Sequence, residues 1–432
     1  MISRFVLAAW LLVVTLGASA QEQDDALHVQ FTNVAQKHAA FRSAYEGANS
    51  LHARERAEET SDLTFYAGMR PWRGAELWIN PEIDQGFGLS NTVGAAGFPS
   101  GEAYKVGANQ AYLRLPRVFL RQVIALGEGT EAVEAGANQL AGPRAEDNFT
   151  ITIGKFSVGD VFDANEYAHD PRADFFNWSI IESGAFDYAA DPWGYTNGVA
   201  AEWNTGPWSV RGGVFQMSRV PNSEVTGIHF AQFMALAEIE RRYEFAGRQG
   251  KARLLVFDNR ARMGSYADAT ALAAGTGTTP DLALVRRKQS RSGIALNVEQ
   301  EVVPGVGAFV RASRNDGAKE AYEFTEINRS IAAGTSIKGA RWGRAEDEVG
   351  LAAARNHLSS QAQAYFAAGG IGILIGDGAL RYGDENIVEA YYSIAVRKQV
   401  AVTLDAQRIV HPAYNRDRGP VTIFGVRTHV EF

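Results

Sequence analysis

The chain has 432 residues, with 42 Lys+Arg against 49 Asp+Glu, no cysteine, and 46% hydrophobic and 11% aromatic side chains. So apolar a composition at a net charge of −7 excludes disorder. The missing cysteines exclude a disulfide framework, a thiolate nucleophile and a Cys-based metal centre, and the mildly acidic balance gives no footprint for a nucleic-acid partner.

From the N-terminus, Arg4, the apolar run Phe5 to Leu16 and the small residues Ala18, Ser19 and Ala20 read as an export signal cleaved after Ala20. The run is short of the roughly 20 residues that a spanning helix needs. Residues 1–20 are thus expected to be a signal peptide and 21–432 the mature chain. No later apolar stretch reaches transmembrane-helix length, which leaves a soluble fold or a β-barrel.

The mature sequence alternates with a period of two, as a strand with one apolar and one polar face must. Phe149, Ile151 and Ile153 interleave with Thr150, Thr152 and Gly154, and Ile294, Leu296 and Val298 with Ala295, Asn297 and Glu299. Gly and Ala are frequent on the polar face. Candidate strands lie near 26–36, 61–70, 74–84, 109–126, 148–162, 194–204, 207–217, 231–245, 250–259, 291–301, 304–314, 327–341, 346–356, 386–397, 399–409 and 420–432, sixteen in all. A soluble sandwich also alternates, so the links discriminate. Tight links such as 71–74, 245–250, 303–305 and 397–399 take turns with long ones such as 163–193, 260–290 and 357–385.

Short turns on one rim and long loops on the other wire an outer-membrane barrel. The expected fold is therefore all-β: a transmembrane, antiparallel, up-and-down barrel with short periplasmic turns and long extracellular loops. An even strand count returns both termini to the short-turn side. Residues 127–147 are the exception, a long link on the short-turn rim that carries Glu128, Glu131 and Glu134. In the last strand Phe424, Val426, Thr428, Val430 and Phe432 share a face suited to lipid, and Gly425, Arg427, His429 and Glu431 one suited to water. The terminal Phe432 is where outer-membrane assembly machinery would read its substrate. Tyr243 with Phe245, and Tyr391 with Tyr392, are candidates for interfacial girdles.

The residues resemble the carbohydrate-selective porins of the OprB type from Gram-negative outer membranes. The resemblance runs in order through WINPEIDQGFGLSNTVGAAGFPSGE (78–102), RLPRVFLRQ (114–122), GKFSVGDVFDANEYAHDPRADFFNW (154–178), AAGGIGILIGDGALRYGDE (367–385) and AYNRDRGPVTIFGVRTHVEF (413–432). Departures are the apolar segment Val93 to Phe98 and the acidic link. The resemblance implies a sixteen-stranded outer-membrane porin passing small sugars such as glucose by facilitated diffusion, with no cofactor and no chemical step. Its partners are then small carbohydrates and the bilayer, and a homo-oligomer is open.

In such a channel, selectivity resides in the lumen lining and in loops folded inward. Aromatic rings offer an apolar body to the sugar ring, and charged or amide groups replace water at its hydroxyls. Arg114, Arg117 and Arg121 are the candidate basic ladder, because Leu113 and Leu115 claim the lipid face and Pro116 marks a bulge that shifts the phase. Glu82, Glu202 and Glu238 are candidate opposing acids. Trp178 is a candidate stacking surface, on a loop fixed by Asp170 with Arg172. Ordinary lumen ion pairs that hold loops in place are the plainer reading of the same charges.

Other classes find less support. No GxSxG elbow, HExxH pair or Walker sequence occurs, the eight His are scattered, and the glycines between Gly369 and Gly378 lack dinucleotide spacing and suit loop packing. Asp160 with Asp163 is a weak glycosidase pair. Neither an enzyme nor a metal site is expected. A general or non-sugar solute porin and a non-conducting structural or adhesive barrel are the alternatives.

Overall fold

Alternating strands leave backbone groups that must be met by neighbours, and this chain meets them by closing the sheet on itself. In the computed structural model, which describes residues 22–103, 107–324 and 326–432, sixteen strands form one closed antiparallel barrel. In chain order they are β1 (Asp25–His38), β2 (Glu58–Met69), β3 (Ala75–Gly86), β4 (Ala108–Ala125), β7 (Asn148–Phe156), β8 (Thr196–Thr205), β9 (Trp208–Gln216), β10 (Phe233–Phe245), β11 (Arg248–Met263), β12 (Arg287–Val303), β13 (Val306–Asn315), β14 (Arg329–Lys338), β15 (Glu348–His357), β16 (Glu385–Arg397), β17 (Val400–Val410) and β18 (Val421–Glu431). A hairpin of β5 (Thr130–Val133) and β6 (Gly142–Ala145) stands apart in the long link on the short-turn rim. The ends meet where β1 pairs with β18: Phe432 N–H donates to the Val29 carbonyl (2.9 Å) and Val29 N–H to that of Phe432 (3.0 Å). The expected export signal, residues 1–20, lies outside the described residues.

Every expected strand is present, with differences at the ends. The strand expected over 148–162 stops at Phe156, because Ser157 caps a short turn whose Asp160 carboxylate accepts the Ser157 N–H (2.9 Å). The link 260–290 hides α1 (Tyr266–Thr276), which starts at the Ser265 cap and packs against α2 (Ser360–Ala367). No helix among the described residues is long and apolar enough to cross a membrane.

The two faces of the wall separate as the period of two requires. Leu113, Ile294, Leu296, Val310, Ile331, Leu351, Leu404 and Phe424 are exposed on the outside. Asn297, Glu299, Arg311, Glu389, Gln407 and Arg427 are buried on the inside. Exposed aromatic rings gather at the short-turn rim: Trp72, Trp203, Trp208, Phe245 and Trp342. Tyr392 belongs with them, since Trp342 Nε1 donates to its hydroxyl (3.2 Å). Its neighbour Tyr391 does not: alternation turns it inward, edge-on to Phe175 at 4.9 Å.

What fills the lumen is loop. The loop 157–195 crosses to the far wall, where buried arginines and carboxylates hold its backbone. Arg311 donates to the carbonyls of Ala168 (2.6 Å), Ile180 (2.8 Å) and Asp163 (3.0 Å). Arg427 donates to those of Pro171 (2.7 Å), Ala173 (2.6 Å) and Asp174 (2.9 Å), over the Phe176 ring. Glu389 accepts the N–H groups of Phe176 (2.5 Å) and Asn177 (3.0 Å). The loop segment 87–103 is held likewise: Glu385 accepts from Ala96 and Gly97, and Gln36 and Gln407 donate to the Pro99 carbonyl. Small residues on the inner face make room for these loops. At Gly307 a Cβ would fall 2.1 Å from the Tyr167 ring.

Candidate functional site

With both loops drawn to the β12–β18 side, a passage remains against β2, β3 and β4. It opens as a cavity of about 350 Å³, whose described lining includes Tyr66, Asp62, Glu82, Asp84, Glu102, Tyr112, Arg114, Arg117, Asp160, Arg172, Trp193 and Tyr195.

The arginines are aimed by one irregularity. Glu82 pairs with Arg114 and Asn80 with Arg117, so Leu115 and Pro116 oppose the single residue Pro81. This bulge turns the phase by one, as the proline leads one to expect. Arg114, Arg117 and Arg121 consequently share the inner face although their spacing is three and four. Leu113, 71% exposed, points outward.

Arg114 forms ion pairs with Glu82 and Asp84, and its guanidinium lies 5.2 Å from the Tyr195 ring centre. Arg117 holds Asp160 bidentately at 2.7 and 2.8 Å, and its guanidinium lies 4.8 Å from the same Tyr195 ring centre. Burial alone would raise the Asp160 carboxyl, but Arg117 overrides it and keeps the group below the usual carboxylate range. Arg121 lies one step nearer the short-turn rim, outside the lining of the cavity. It donates to the Asn138 carbonyl (2.9 Å), pairs with Glu76 at 3.3 Å and covers Phe119.

Asn138 comes from the exceptional link. Its tip, Gly136 to Gln139, is closed by two reciprocal backbone hydrogen bonds of 3.0 Å and reaches up into the barrel. There Asn80 Nδ2 donates to Asn138 Oδ1 (2.8 Å), while Leu140 and Ala141 are buried. Gln23 and Ala141 bond each other in both directions at 3.1 Å, and Arg70 bridges Glu22 (2.9 Å) to the Ala141 carbonyl (3.4 Å). The link is therefore a floor beneath the cavity, which explains its length on a rim of tight turns.

Arg172 is the lumen-side counterpart. Its guanidinium reaches Glu102 (3.0 Å), the Tyr66 hydroxyl (2.8 Å), Glu82 (3.2 Å) and Asp62 (3.3 Å). The expected Asp170 and Arg172 contact exists only as a backbone N–H donated to the Asp170 carboxylate at 2.8 Å. Opposite, Trp193 Nε1 donates to the Tyr112 hydroxyl (3.1 Å), leaving both rings partly exposed to the cavity.

Three sequence expectations need correction. Glu202 and Glu238 do not oppose the ladder; Arg211 takes them at 3.0 and 2.7 Å in a separate cluster with Glu240. Glu238 also accepts the Asp163 N–H, so it serves as a loop anchor. Trp178 reaches the cavity lining but is only 7% exposed, with Phe98 at 5.0 Å and Phe324 at 4.9 Å stacked against it, so it offers an edge and not a stacking face. Glu82, by contrast, stands where expected. Asp160 and Asp163 do not form a catalytic pair, since Asp160 is held by Arg117 and Asp163 by Ser183 and Asn297. The residues missed were Trp193, Tyr195, Asp62 and Glu102; the aromatic pair immediately before a strand was the one available signal.

Residues 48–432 match the profile described as carbohydrate-selective porin, OprB family. No curated protein sequence matches the chain. Among solved structures, the chain is similar to the high-pH structure of OprB from Pseudomonas putida, at 16% identity and a TM-score of 0.72, covering 95% of this chain and 94% of that one. The low-pH structure of the same protein gives 13% identity, 95% and 93% coverage, and a TM-score of 0.52. The outer-membrane channel DcaP of Acinetobacter baumannii gives 10% identity, 97% and 100% coverage, and a TM-score of 0.53.

Proposed function

The chain belongs to the OprB family of carbohydrate-selective porins, and on that premise we propose that the passage beside β4 admits single sugar rings and turns away larger and anionic solutes. The protein is a carbohydrate porin of the Gram-negative outer membrane and carries out no chemical step. The short-turn rim is thus periplasmic and the long-loop rim extracellular.

The observation that carries the narrower reading is the cavity of about 350 Å³ that the loops leave against β2, β3 and β4, where aromatic rings, guanidinium groups and carboxylates converge. That volume is at the low end of small-molecule sites. Its walls offer what a monosaccharide needs. Arg114, Arg117 and Arg172 donate to hydroxyls, Asp62, Glu82, Asp84 and Glu102 accept from them, and Trp193 with Tyr112 supplies partly exposed rings. Carboxyl groups outnumber guanidinium groups along this lining, which disfavours an anionic sugar. Each donor is already partnered, so a sugar exchanges hydrogen bonds and leaves again, as conduction requires. Arg121 and Asn138 then form the exit below.

Liposome swelling tests the reading. Glucose should enter several-fold faster than a disaccharide and faster than gluconate; equal rates for all three would make this a general porin, and no swelling a plugged barrel. The same reading takes residues 1–20 as the export signal, so the purified protein should begin at Gln21. It takes Phe432 as the recognition end for barrel assembly, and deletion of Phe432 should lower the amount of folded protein in the membrane.

A further inference from the structure

The outer surface carries a second charged array, unrelated to the passage. On successive strands, at the extracellular end of the outward face, stand Arg260 and Arg262 (β11), Lys288 (β12), Arg314 (β13), Arg329 (β14) and Arg355 (β15), all exposed. They border the apolar band: Arg314 is registered beside Ile294, and Arg355 beside Ile331.

Two features are hard to account for by folding. Arg262 is registered directly opposite Lys288, and Arg314 directly opposite Arg329, on the same face. Like charges so placed oppose sheet formation. Their neighbours do not relieve them. Among the described residues, Arg260, Lys288, Arg314 and Arg329 make no ion pair or side-chain hydrogen bond. The carboxylates nearby are few and none forms a close ion pair with these four: Asp258 accepts from Ser290 (3.1 Å) and Ser292 (2.7 Å), Asp316 pairs with Lys319 (2.5 Å), and Asp384 pairs with Arg355. On the β1 to β3 arc the corresponding positions are Lys37, Glu59 and Gln85, whose charges cancel. The excess runs over β11 to β15, and Arg408 on β17 is a further exposed basic residue at this level.

We propose that this arc is a binding site for the phosphorylated headgroup of lipopolysaccharide in the outer leaflet. Position and chemistry agree. The guanidinium and ammonium groups are level with the headgroups, above the hydrocarbon, where snorkelling side chains are stable. Paired arginines across two strands present forked donors to a phosphate, which neutralises the repulsion that the sheet alone leaves standing. The adjoining Ile294, Leu296, Val310 and Ile331 receive the acyl chains below.

The test uses the full mature chain in detergent micelles, with deep-rough lipopolysaccharide as the probe and native mass spectrometry as the readout. Wild type should bind it at least ten-fold more tightly than its dephosphorylated form. Replacing Arg260, Lys288, Arg314 and Arg329 together by Gln should remove that ten-fold preference, while replacement of the three arginines by Lys should keep most of it. Glucose flux and heat-modifiable mobility should be unchanged in both, because none of these side chains faces the lumen. If the four-fold variant does not fold, R314Q and R329Q singly should each lower the affinity several-fold. Equal binding by wild type and the Gln variants overturns the proposal, as does equal binding of the dephosphorylated lipid. So does full displacement by millimolar inorganic phosphate, which would mark a site for the free anion. A dimer lost in the variant with no lipid bound would assign the arc to a second copy, and overturns it too.

Discussion

The two sides of the lumen hold the same side chains to opposite ends. On the β12–β18 side, Arg311 and Arg427 are 1% exposed and spend their donors on loop carbonyls, three each. On the β2–β4 side, Arg114, Arg117 and Arg172 are partly exposed and bond to other side chains, which can rotate to accept a guest. A guanidinium whose partners are backbone is a fastener, and one whose partners are carboxylates beside water is a lining. The difference lies in what the donors meet, since the residue type is the same and Arg114 and Arg117 stand on the inner strand face just as Arg311 and Arg427 do.

The largest effect should come from undoing a fastener. Arg311→Met leaves three buried carbonyls without a donor and frees the crossing loop, at a cost of about 3–5 kcal/mol. Disaccharide entry in the swelling assay should then rise several-fold, and the temperature of the gel-mobility shift should fall. If disaccharides are still excluded, the loop is not what narrows the channel. A lining residue should behave in the opposite way. Neutralising Arg114 or Arg121 should change glucose flux or single-channel conductance by a few-fold and leave disaccharide exclusion in place. Wild-type currents from both variants would end the assignment of the ladder.

A titration sharpens the same contrast. Asp174, in the crossing loop, is pushed up to about 7 by burial and by the adjacent Asp170, although it accepts the N–H groups of His169 and Asp170. A carboxyl raised in the folded state contributes stability that is complete below the unfolded value of about 3.9 and is lost as pH rises through the folded one. Between about pH 4 and 7 the mobility-shift temperature should therefore fall, and Asp174→Asn, which still accepts both N–H groups, should flatten that slope. An unchanged slope would place the titrating group elsewhere. The smallest effect is expected from Trp178→Phe, because Phe98 and Phe324 cover both faces of the indole. Glucose flux should stay within two-fold of wild type, and a larger loss would return Trp178 to the sugar path.

The legibility of this molecule follows the same division. A period of two is a local property, so every barrel strand could be read from residues a few positions apart, as could the phase shift at Pro116 that turns Arg117 and Arg121 inward. Loop fasteners join residues far apart in the chain: Glu389 accepts from Phe176, and Arg427 donates to Ala173. No spacing announces such a pair. Trp178 looked available and Trp193 did not, because an aromatic's free face depends on which loops fold over it. Glu202 and Glu238 were read correctly as inward-facing acids, but their partner Arg211 lies on the strand between them, and closer carboxylates were already set against the ladder. The irregular length of 127–147 was visible, and its meaning as a floor required seeing Asn138 beneath Arg121.

That floor makes the two mouths unlike: a broad roof of long loops faces outward, and a single short tip latched by Gln23 and Arg70 faces inward. Unequal mouths do not make a one-way gate. With no energy source coupled to the barrel, rates in the two directions stay tied to the concentrations on either side, so the asymmetry alters how quickly a gradient collapses and never where it settles. Net uptake must be drawn by whatever removes the sugar beyond the floor.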